Sequence, residues 1–560
     1  MSFLVRSMVW LLGGAANLLR RTMPPPRWIS FVISGELPTL TERRRGLLAR
    51  LTPKRGSLQE LERDLDRIRH DRRVRGVVLH LGRLRLSVAE RQTLRGMIRR
   101  AKDAGKTVIA WASSYDAASF HVACACDKVY LQRGGRIGSL GVAQRYWFLA
   151  DALGKAGLSA DFVQISPYKT ASDMVTRTDM SEEARRMADW LADDIFAQLL
   201  EEIGEGRKLS PDRARDALDA AMHTDIDAEA AGLVDGLLCE DELPSRLAES
   251  AKAKVKIATF RQARRRLLKP LVSLSSRGVG ILRIHGDIVD GRSAHPPVRP
   301  PFRVPLLLSE RSGDLTIVAA ARRAATDRRT AAVVVHVDSG GGASTASEAM
   351  AAALRSLAAR KPVVLSMGAV AASGGYYVAT PAQWIIAQPG TLTGSIGVVA
   401  GKLVNASLLR RLAFRHEWID RGDGESLYRG DDAFTDAERK EVLRSIRHVY
   451  DLFLDRVAAS RKLSADEVDA VGGGRVWTGR QAREHGLVDA FGGLHEAIAK
   501  ARELASLGSR APVRDIAPPR GDAAPVPVPA SALLQFVADG AASLGDGKAL
   551  CICPVVFDDS

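Results

Sequence analysis

The sequence has few cysteines and no long apolar run at its N-terminus, and each shortage excludes a class of protein. Its five cysteines form no even, spaced set, so a disulfide framework is not expected. Cys124 and Cys126 have no histidine or further cysteine at zinc-ligand spacing, which argues against a metal site. The N-terminal apolar run from Met8 to Leu19 contains only twelve residues, too few to predict a membrane-spanning helix.

The rest of the composition is that of an ordinary globular protein. Apolar residues make up 46% of the chain and charged residues 26%, which excludes general disorder and a chain embedded in a membrane throughout. At 560 residues the chain is longer than one hydrophobic core normally supports. We therefore expect two large domains.

Positive charge exceeds negative charge, and its location limits the partners. Lysine and arginine total 81 against 65 acidic residues, a net charge of +16. Much of the excess lies in N-terminal arginines and in the run from Arg261 to Lys269, and neither run interleaves aromatic residues as nucleic-acid modules do. Nucleic acid is therefore not an expected partner. Solvated charge is the plainer interpretation of both runs, and contact with an anionic membrane surface is the alternative.

Two copies of one pattern lie about 255 residues apart, which indicates a domain duplication. The motif RKLS at 207–210 recurs at 461–464, and GLVD at 232–235 recurs at 486–489. Upstream, KTVI at 106–109 matches KPVV at 361–364. The order and spacing of the motifs persist through both copies.

Each copy alternates β-branched runs with amphipathic stretches, as in AAVVVHVD, TASEAMAAALRSLAARK and PVVLSMG. This order predicts an α/β fold of two tandem domains, each a mostly parallel sheet flanked by helices. The predicted segments are a basic amphipathic arm or weak membrane anchor (1–30), the first copy (31–255), a basic linker (256–278), the second copy (279–505) and a Pro/Ala-rich tail (506–560). In parallel sheets the chemistry gathers in loops beyond the carboxyl ends of strands.

Two such loops of the second copy carry candidate chemistry. The first, DSGGGAS at 338–344, has three glycines where a helix would begin, so backbone N–H groups could approach an oxyanion or a phosphate. It lacks the GK[ST] ending of a nucleotide-binding loop. The second, MGAVAASGGY at 367–376, places Ser373 at a helix start, where the Gly374 N–H would lie beside a developing oxyanion. A tight turn and a helix N-cap are the structural alternatives.

The duplication supplies an internal control for these residues. Ala118 of the first copy aligns with Ser373, and GRLRL at 82–86 replaces the triple-glycine loop. Conversely, Lys169 of the first copy aligns with Arg429 of the second. An arginine stays protonated whereas a desolvated lysine can be neutral, so Lys169 can act as the base for a serine hydroxyl and Arg429 cannot. Each copy has kept a different half of a Ser-Lys pair, which predicts one site that needs both copies.

A third side chain for the site, Ser395, and rival bases complete the candidates. The motif LTGSIG at 392–397 echoes IGSLG at 137–141, and Ser395 could orient the lysine amine. Because the Gly-Ser pair occurs in both copies, a structural turn explains it equally well. A Ser-His-Asp arrangement within the second copy would use His336 or His416 with Asp338 or Asp420. A histidine also stands opposite His336 in the first copy, which favours core packing for that residue.

The motifs PVVLSMGAVAASGGYYVATPA, TLTGSIGVV and SPYKTA resemble those of signal peptide peptidase A, also called protease IV, in its long two-domain form. This family lies within the Clp protease and crotonase-like superfamily, and the resemblance covers residues 31–505. The family usually has Pro-Gly-Gly where this chain has Gly340-Gly341-Gly342. The resemblance implies Ser373 as nucleophile, Lys169 as general base, Ser395 as a lysine-orienting hydroxyl, and oxyanion amides at Gly374 and at Gly341 or Gly342.

The resemblance also implies a function and an assembly. We expect a serine endopeptidase that cleaves remnant signal peptides and other apolar peptides at the bacterial inner membrane, with its site on the periplasmic side, as a homotetramer and without metal or cofactor. Two alternatives of another class stay open. A crotonase-like enzyme would bind an acyl-CoA thioester in the related pocket, and a non-catalytic scaffold at the membrane would only bind peptides or partners.

Overall fold

A computed structural model describes residues 3–41, 56–251, 255–270, 276–295, 309–422, 424–517 and 550–552. Most of the predicted tail, residues 518–549 and 553–560, lies outside the described residues. The chain divides into two compact units, the first formed mainly by Met1–Ala143 and Ala192–Ser276, the second by Gln144–Leu191 and Arg277–Phe557. Lys169 and Ser373 therefore belong to the same unit, although Lys169 comes from the first copy of the repeat.

The strands are β1 (Trp28–Gly35), β2 (Gly76–Leu84), β3 (Thr107–Ala112), β4 (Lys128–Leu131), β5 (Arg136–Ile137), β6 (Ser159–Gln164), β7 (His223–Thr224), β8 (Ile257–Thr259), β9 (Gly278–His285), β10 (Asp287–Val289), β11 (Arg311–Gly313), β12 (Thr330–Ser339), β13 (Gly341–Ala343), β14 (Val363–Ala372), β15 (Trp384–Ala387), β16 (Leu392–Gly394), β17 (Val399–Val404), β18 (Val476–Thr478), β19 (Ala490–Phe491), β20 (Val513–Asp515) and β21 (Leu550–Ile552). The helices are α1 (Phe3–Thr22), α2 (Leu58–His70), α3 (Val88–Asp103), α4 (Ala117–Ala123), α5 (Ala150–Ala156), α6 (Asp173–Thr176), α7 (Glu182–Arg207), α8 (Pro211–Asp219), α9 (Asp225–Ala230), α10 (Leu243–Ala251), α11 (Phe260–Ala263), α12 (Asp314–Thr326), α13 (Ser344–Ala358), α14 (Gly374–Tyr377), α15 (Ala406–Arg411), α16 (Asp436–Arg461), α17 (Ala465–Val471), α18 (Gly479–Glu484) and α19 (Leu494–Leu504).

The first unit is built on a parallel sheet of five strands in the order β4-β3-β2-β1-β8. Its central strand β2 begins with a run of buried apolar residues, as expected where both faces of a parallel sheet are covered. On one face, Leu243 and Leu247 of α10 pack against Trp28 and Val78. Helix α3 begins at a reciprocal cap between Ser87 and Glu90, which fixes its start beside the sheet.

The second unit contains two sheets. The larger has the order β18-β16-β14-β12-β9-β20, with β15 beside β14. Strands β9, β12, β14 and β20 run parallel, and β18 is antiparallel to β16. Strand β12, with the sequence TAAVVVHVDS, is buried at nine of its ten positions. The smaller sheet has the order β11-β10-β13-β21-β17-β6 and holds both the glycine loop and the segment that leads to Lys169.

The two copies share one strand order, which confirms the predicted fold of tandem parallel α/β domains. Strands β4, β3, β2, β1 and β8 of the first copy correspond to β15, β14, β12, β9 and β20 of the second, and each set is parallel. Strand β8 lies in the segment predicted as the linker and β20 in the segment predicted as the tail. The short helices α4 and α14 follow equivalent strands in the two copies. Ala118, which aligns with Ser373, is the second residue of α4, whereas Ser373 precedes α14, so the helix starts two residues earlier in the first copy. Asp116 and Ser373 are the residues that precede the two helices.

The predicted N-terminal arm forms helix α1 over most of its length. No helix in the described parts of the chain has the length and apolar character that crossing a bilayer requires.

Candidate active site

Ser373 lies where strand β14 ends and helix α14 begins. Its backbone has a φ of 54°, and such a conformation costs a non-glycine residue about 1–3 kcal/mol. The Ser373 N–H donates to the carbonyl of Gly394 at 2.7 Å. The residue is fully buried. Its surroundings thus hold Ser373 in a conformation that a plain helix N-cap would not require.

The segment that carries Lys169 adds to a sheet of the second copy. Strand β6 pairs antiparallel with β17 along its whole length. Just beyond this ladder, the Ile165 N–H donates to the carbonyl of Val398 at 3.1 Å. The chain then turns, and the Lys169 N–H bonds to the carbonyl of Ser166 at 3.1 Å. This pairing places a lysine from the first copy beside the serine of the second.

The side chains of Lys169, Ser373 and Ser395 meet in the interior. The Lys169 Nζ lies 2.7 Å from the Ser373 Oγ. It also lies 3.0 Å from the carbonyl oxygen of Ser395 and 3.0 Å from its hydroxyl. All three residues are 0% exposed. Removal from water disfavours the charged form of an amine, and a neutral lysine can accept a proton.

Ser395 has an environment that its echo in the first copy lacks. It follows β16 with a φ of 51°, and its N–H donates to the carbonyl of Arg475 at 2.6 Å. Ser139, its counterpart, is exposed. The Gly-Ser pair therefore contributes a buried, lysine-bonded hydroxyl only in the second copy.

The three candidate glycines lie side by side next to Ser373. A Cβ on Gly374 would be 3.1 Å from the Gly341 Cα and 3.2 Å from the Gly342 nitrogen. A Cβ on Gly342 would be 2.0 Å from the Ile288 carbonyl oxygen, so only glycine fits there. The Gly341 N–H already donates to the Ser339 hydroxyl at 3.1 Å. The loop thus brings backbone amides close to the first turn of α14, whose leading N–H groups have no partner within the helix.

A second glycine run, Gly472 to Gly474, was not among the sequence candidates and supports the lysine. A Cβ on Gly474 would be 2.6 Å from the Lys169 Cα. The Gly474 N–H donates to the carbonyl of Ile396 at 2.7 Å, and the Gly473 N–H donates to the Tyr450 hydroxyl at 2.9 Å. The first copy has LDA at the aligned residues 218–220. Comparison of the copies would have revealed this run, because the glycines occur only beside the serine.

Aromatic side chains fix the turn that presents Lys169. The Arg475 guanidinium lies 4.2 Å from the centre of the Tyr168 ring. The Trp190 ring lies 5.8 Å from that of Tyr168 and stacks on Trp477 at 5.0 Å. The Trp190 Nε1–H donates to the carbonyl of Val476 at 2.9 Å. Tyr168, the residue before the lysine, therefore contacts both Arg475 and Trp190.

The rival bases have partners other than Ser373. His336 is buried, with its Nδ1 3.4 Å from the Ser366 hydroxyl, and burial holds its pKa well below the ordinary value. His416 pairs through Nε2 with Asp431 at 2.8 Å. Asp420, proposed as an alternative acid, pairs instead with Arg429. Among the hydrogen bonds of the described residues, it is Lys169 that contacts the Ser373 hydroxyl.

The end of the chain also reaches the glycine loop. Strand β21 pairs antiparallel with β13, with Cys551 opposite Gly342. On its other side, β21 pairs with β17 at Val399. An extended segment of the chain therefore lies along the strand that contains the candidate oxyanion glycines.

Potential metal ligands are not clustered in the described residues, where no group of three or more His, Cys, Asp or Glu could hold an ion. Cys124, Cys126 and Cys239 are free thiols.

Comparison with known sequences decides the family. A sequence model described as peptidase family S49 matches residues 100–254 and 355–508, which is more than half of the chain. The chain belongs to peptidase family S49. One matched segment falls in each copy of the repeat. This S49 member is a serine peptidase of the hydrolase class.

Named relatives agree with this assignment. A serine protease SPPA of the chloroplast from Arabidopsis thaliana is 29% identical over 459 residues, which cover 80% of this chain and 66% of the relative. Protease 4 from Haemophilus influenzae is 27% identical over 464 residues, covering 80% of this chain and 72% of the relative. Protease 4 from Salmonella typhi is 28% identical over 469 residues, with the same two shares. The chain thus spans about two thirds of the chloroplast relative and somewhat more of the bacterial ones.

Proposed function

We propose that this S49 peptidase is an endopeptidase with a Ser-Lys dyad, in which Ser373 is the nucleophile and Lys169 is the general base. The observation that carries the proposal is the 2.7 Å distance between the Lys169 Nζ and the Ser373 Oγ, with both residues fully buried. A hydroxyl is a weak nucleophile until an adjacent base takes its proton. Ser395 is the positioning residue, because its two oxygens hold the same nitrogen.

The first half of the reaction forms an acyl-enzyme. The neutral Lys169 amine takes the Ser373 proton as the Oγ attacks the carbonyl carbon of the peptide bond. The carbonyl oxygen becomes an oxyanion in the tetrahedral intermediate. The Lys169 ammonium then gives its proton to the leaving amine nitrogen as the carbon–nitrogen bond breaks.

The second half releases the acyl group. Lys169 takes a proton from a water molecule, which attacks the ester carbonyl. The second tetrahedral intermediate collapses, the bond between the carbonyl carbon and the Ser373 Oγ breaks, and the lysine returns a proton to the serine.

The oxyanion is assigned to backbone N–H groups of Gly374 and Gly342. Support comes from the closeness of these residues, since a Cβ on Gly374 would be 3.2 Å from the Gly342 nitrogen. Gly341 is the less favourable candidate because its N–H already donates to Ser339. Fixed donors of this kind stabilise charge as it develops in the transition state.

The substrate is proposed to be a remnant signal peptide or another apolar peptide, bound in an extended form at a membrane surface. The antiparallel pairing of β21 with β13 supports the extended form, because the strand of the oxyanion glycines accepts a partner strand there. The apolar class, the tetramer and the periplasmic orientation follow from the family resemblance. The mass of the assembly in solution tests the tetramer.

The acyl-CoA enzyme and the non-catalytic scaffold are less well supported. The family assignment favours a peptidase over both, and neither alternative explains why a buried lysine contacts the Ser373 hydroxyl.

The dyad is tested with Ser373→Ala and Lys169→Ala in a peptide-cleavage assay. Each should lower kcat/KM by roughly 10⁴- to 10⁶-fold, the range for removal of a member of such a catalytic unit. Lys155→Ala, an exposed lysine on α5, is the matched control and should be unaffected. Full activity in either dyad variant would refute the mechanism. Lys169-dependent labelling of Ser373 by a fluorophosphonate would distinguish the enzyme from a scaffold.

A further inference from the structure

Helix α1 presents to solvent a stripe of exposed apolar residues, mostly leucines, which is named the leucine stripe. Met8, Leu11, Leu12, Leu18 and Leu19 are each between 57% and 66% exposed. At about 100° per residue, these five positions fall within an arc of about 120°, on one face of the helix. A continuous exposed apolar face of this kind marks an interaction surface.

The opposite face of α1 is fixed to the basic linker. Asn17 lies about 180° around the helix from Met8. Its side-chain amide donates to the Lys269 carbonyl at 2.8 Å and accepts from the Lys269 N–H at 3.0 Å. The Arg20 Nε donates to the Arg265 carbonyl at 3.4 Å. These bonds set the rotation of the helix about its axis, so the leucine stripe faces away from the linker.

The linker backbone is held from the other side. Arg67 donates to the Arg264 carbonyl at 2.8 Å, and Arg73 donates to the Arg266 carbonyl at 3.0 Å. Since the backbone makes these bonds, the basic side chains of the linker are left exposed at 264, 265, 266 and 269. The two basic runs of the sequence therefore meet in one place.

A basic cleft continues this surface. It has a volume of about 430 Å³, and its exposed cations are Arg27, Arg72 and Arg75. Arg73 and Lys106 also line it, but Arg73 pairs with Asp71 at 2.7 Å, and the buried Lys106 Nζ donates to the carbonyls of Asp71 and Val74. Arg73 joins the cleft to the helix, because its Nη1 donates to the carbonyls of Arg20 at 2.7 Å and Met23 at 3.3 Å.

We propose that α1, the basic linker and this cleft form a docking surface for an anionic phospholipid membrane. The leucine stripe lies in the membrane interface, and the arginines bind lipid headgroup phosphates. The inference deepens the membrane-surface part of the proposed function and does not depend on the peptidase chemistry.

Charge and apolarity together select this partner. A second copy docked through the same face would bring two arginine clusters together, and a nucleic acid would leave the leucine stripe in water. Burial lowers the pKa of Arg67; the nearby Asp64 carboxylate opposes this shift, and the charges of Arg20 and Arg264 add to it. Like charges are thus held close together on this surface, and anionic headgroups would relieve their repulsion.

The test is co-sedimentation of the full chain with phosphatidylcholine vesicles that contain or lack phosphatidylglycerol. We expect binding only to the anionic vesicles, with weaker binding as salt is added. Leu18→Ser combined with Leu19→Ser should abolish binding. Arg264→Gln and Arg265→Gln should each weaken it by about fivefold, which corresponds to about 1 kcal/mol per charge. Asn17→Ala keeps every charge but removes the hydrogen bonds between α1 and the Lys269 backbone. It should therefore weaken binding less than the double variant Leu18→Ser, Leu19→Ser does.

Controls keep the test specific. Ile226→Ser and Arg444→Gln change an exposed isoleucine and an exposed arginine elsewhere and should bind like the unaltered chain. Cleavage of a soluble peptide should persist in all these variants, which separates failure of docking from failure of the dyad. Equal binding to both vesicle types, or normal binding by the double variant Leu18→Ser, Leu19→Ser, would overturn the proposal. If this double variant differs from the unaltered chain in oligomeric state when lipid is absent, the exposed stripe binds a second copy of the chain, and the docking proposal is overturned.

Discussion

The two copies of the repeat start the same helix in different ways. In the first copy, α4 follows Asp116, whose carboxylate accepts from the Ser119 N–H at 2.7 Å, while the Asp116 N–H donates to the Ser119 hydroxyl at 2.9 Å. In the second copy, α14 follows Ser373, which has a φ of 54° and no side-chain cap. A helix cap stabilises by about 1 kcal/mol, whereas a strained φ costs about 1–3 kcal/mol.

This difference separates what the fold needs from what the site needs. The first copy shows that the strand-to-helix turn can form with a relaxed, capped backbone. The second copy departs from that solution at Ser373, at Ser395 and in both glycine runs, which lie around the Lys169–Ser373 pair. Local strain and close backbone contacts in the second copy are therefore features of the site.

The largest effect is expected when Lys169 is replaced by arginine, the residue that the second copy has at the aligned position. Lys169→Arg keeps the positive side chain but cannot supply a neutral base. We expect a loss of roughly 10⁴-fold or more in kcat/KM, as for Lys169→Ala. Lys155→Arg, on the exposed surface of α5, is the matched control. Substantial activity in Lys169→Arg would mean that the base is another group.

The next largest effect is expected where the second glycine run supports the lysine. A methyl group on Gly474 would lie 2.6 Å from the Lys169 Cα, so Gly474→Ala must displace the lysine backbone. A shift of about 1 Å can reduce the rate by about 100-fold. Gly474 also has a φ of 89°, so the control must carry similar strain without a clash. Gly486→Ala does so, with a φ of 72° and nothing within 4 Å. Equal activity of the two variants would contradict the positioning role.

The fold and the pair formed by Lys169 and Ser373 were predictable from the sequence, because the duplication allows each copy to be compared with the other. Alternating apolar runs gave the parallel sheets, and the exchange of Lys169 for Arg429 marked the base. The Ser373 backbone strain could not be predicted, because an alanine-rich segment that contains a serine has many relaxed conformations. The pairing of β6 with β17 could not be predicted either, because the two strands come from different copies and no motif in their sequences indicates that they pair. The glycine run at 472–474 is visible in the sequence and absent from the aligned residues of the first copy, but its contact with the Lys169 backbone depends on the folded structure.

A smaller effect should distinguish the two serines that share the Gly-Ser motif. Ser395→Ala removes one of the two oxygens of that residue that hold the Lys169 nitrogen, while the Ser395 carbonyl stays. Loss of a hydrogen bond to a group that becomes charged should lower kcat by about 10- to 100-fold. Ser139→Ala changes the exposed counterpart in the first copy and should have no effect. Ser395→Thr retains a hydroxyl and should recover part of the activity. Equal rates for the two alanine variants would reduce Ser395 to a structural turn.

The smallest expected effect concerns β21, which pairs with the glycine strand β13 of the second copy. Because β21 pairs with both β13 and β17, it lies where an extended substrate would pair with the glycine strand. Truncation after Ala517 removes β21 but keeps β20 in the main sheet. We expect the truncated chain to have a KM lower by a few-fold with kcat unchanged, since a tethered segment competes with substrate for the same edge. Cys551→Pro removes one backbone N–H from β21 without shortening the tail, and it should reproduce part of the effect. If both variants keep the KM of the unaltered chain, β21 does not compete with the substrate, and the glycine strand binds peptide along another path.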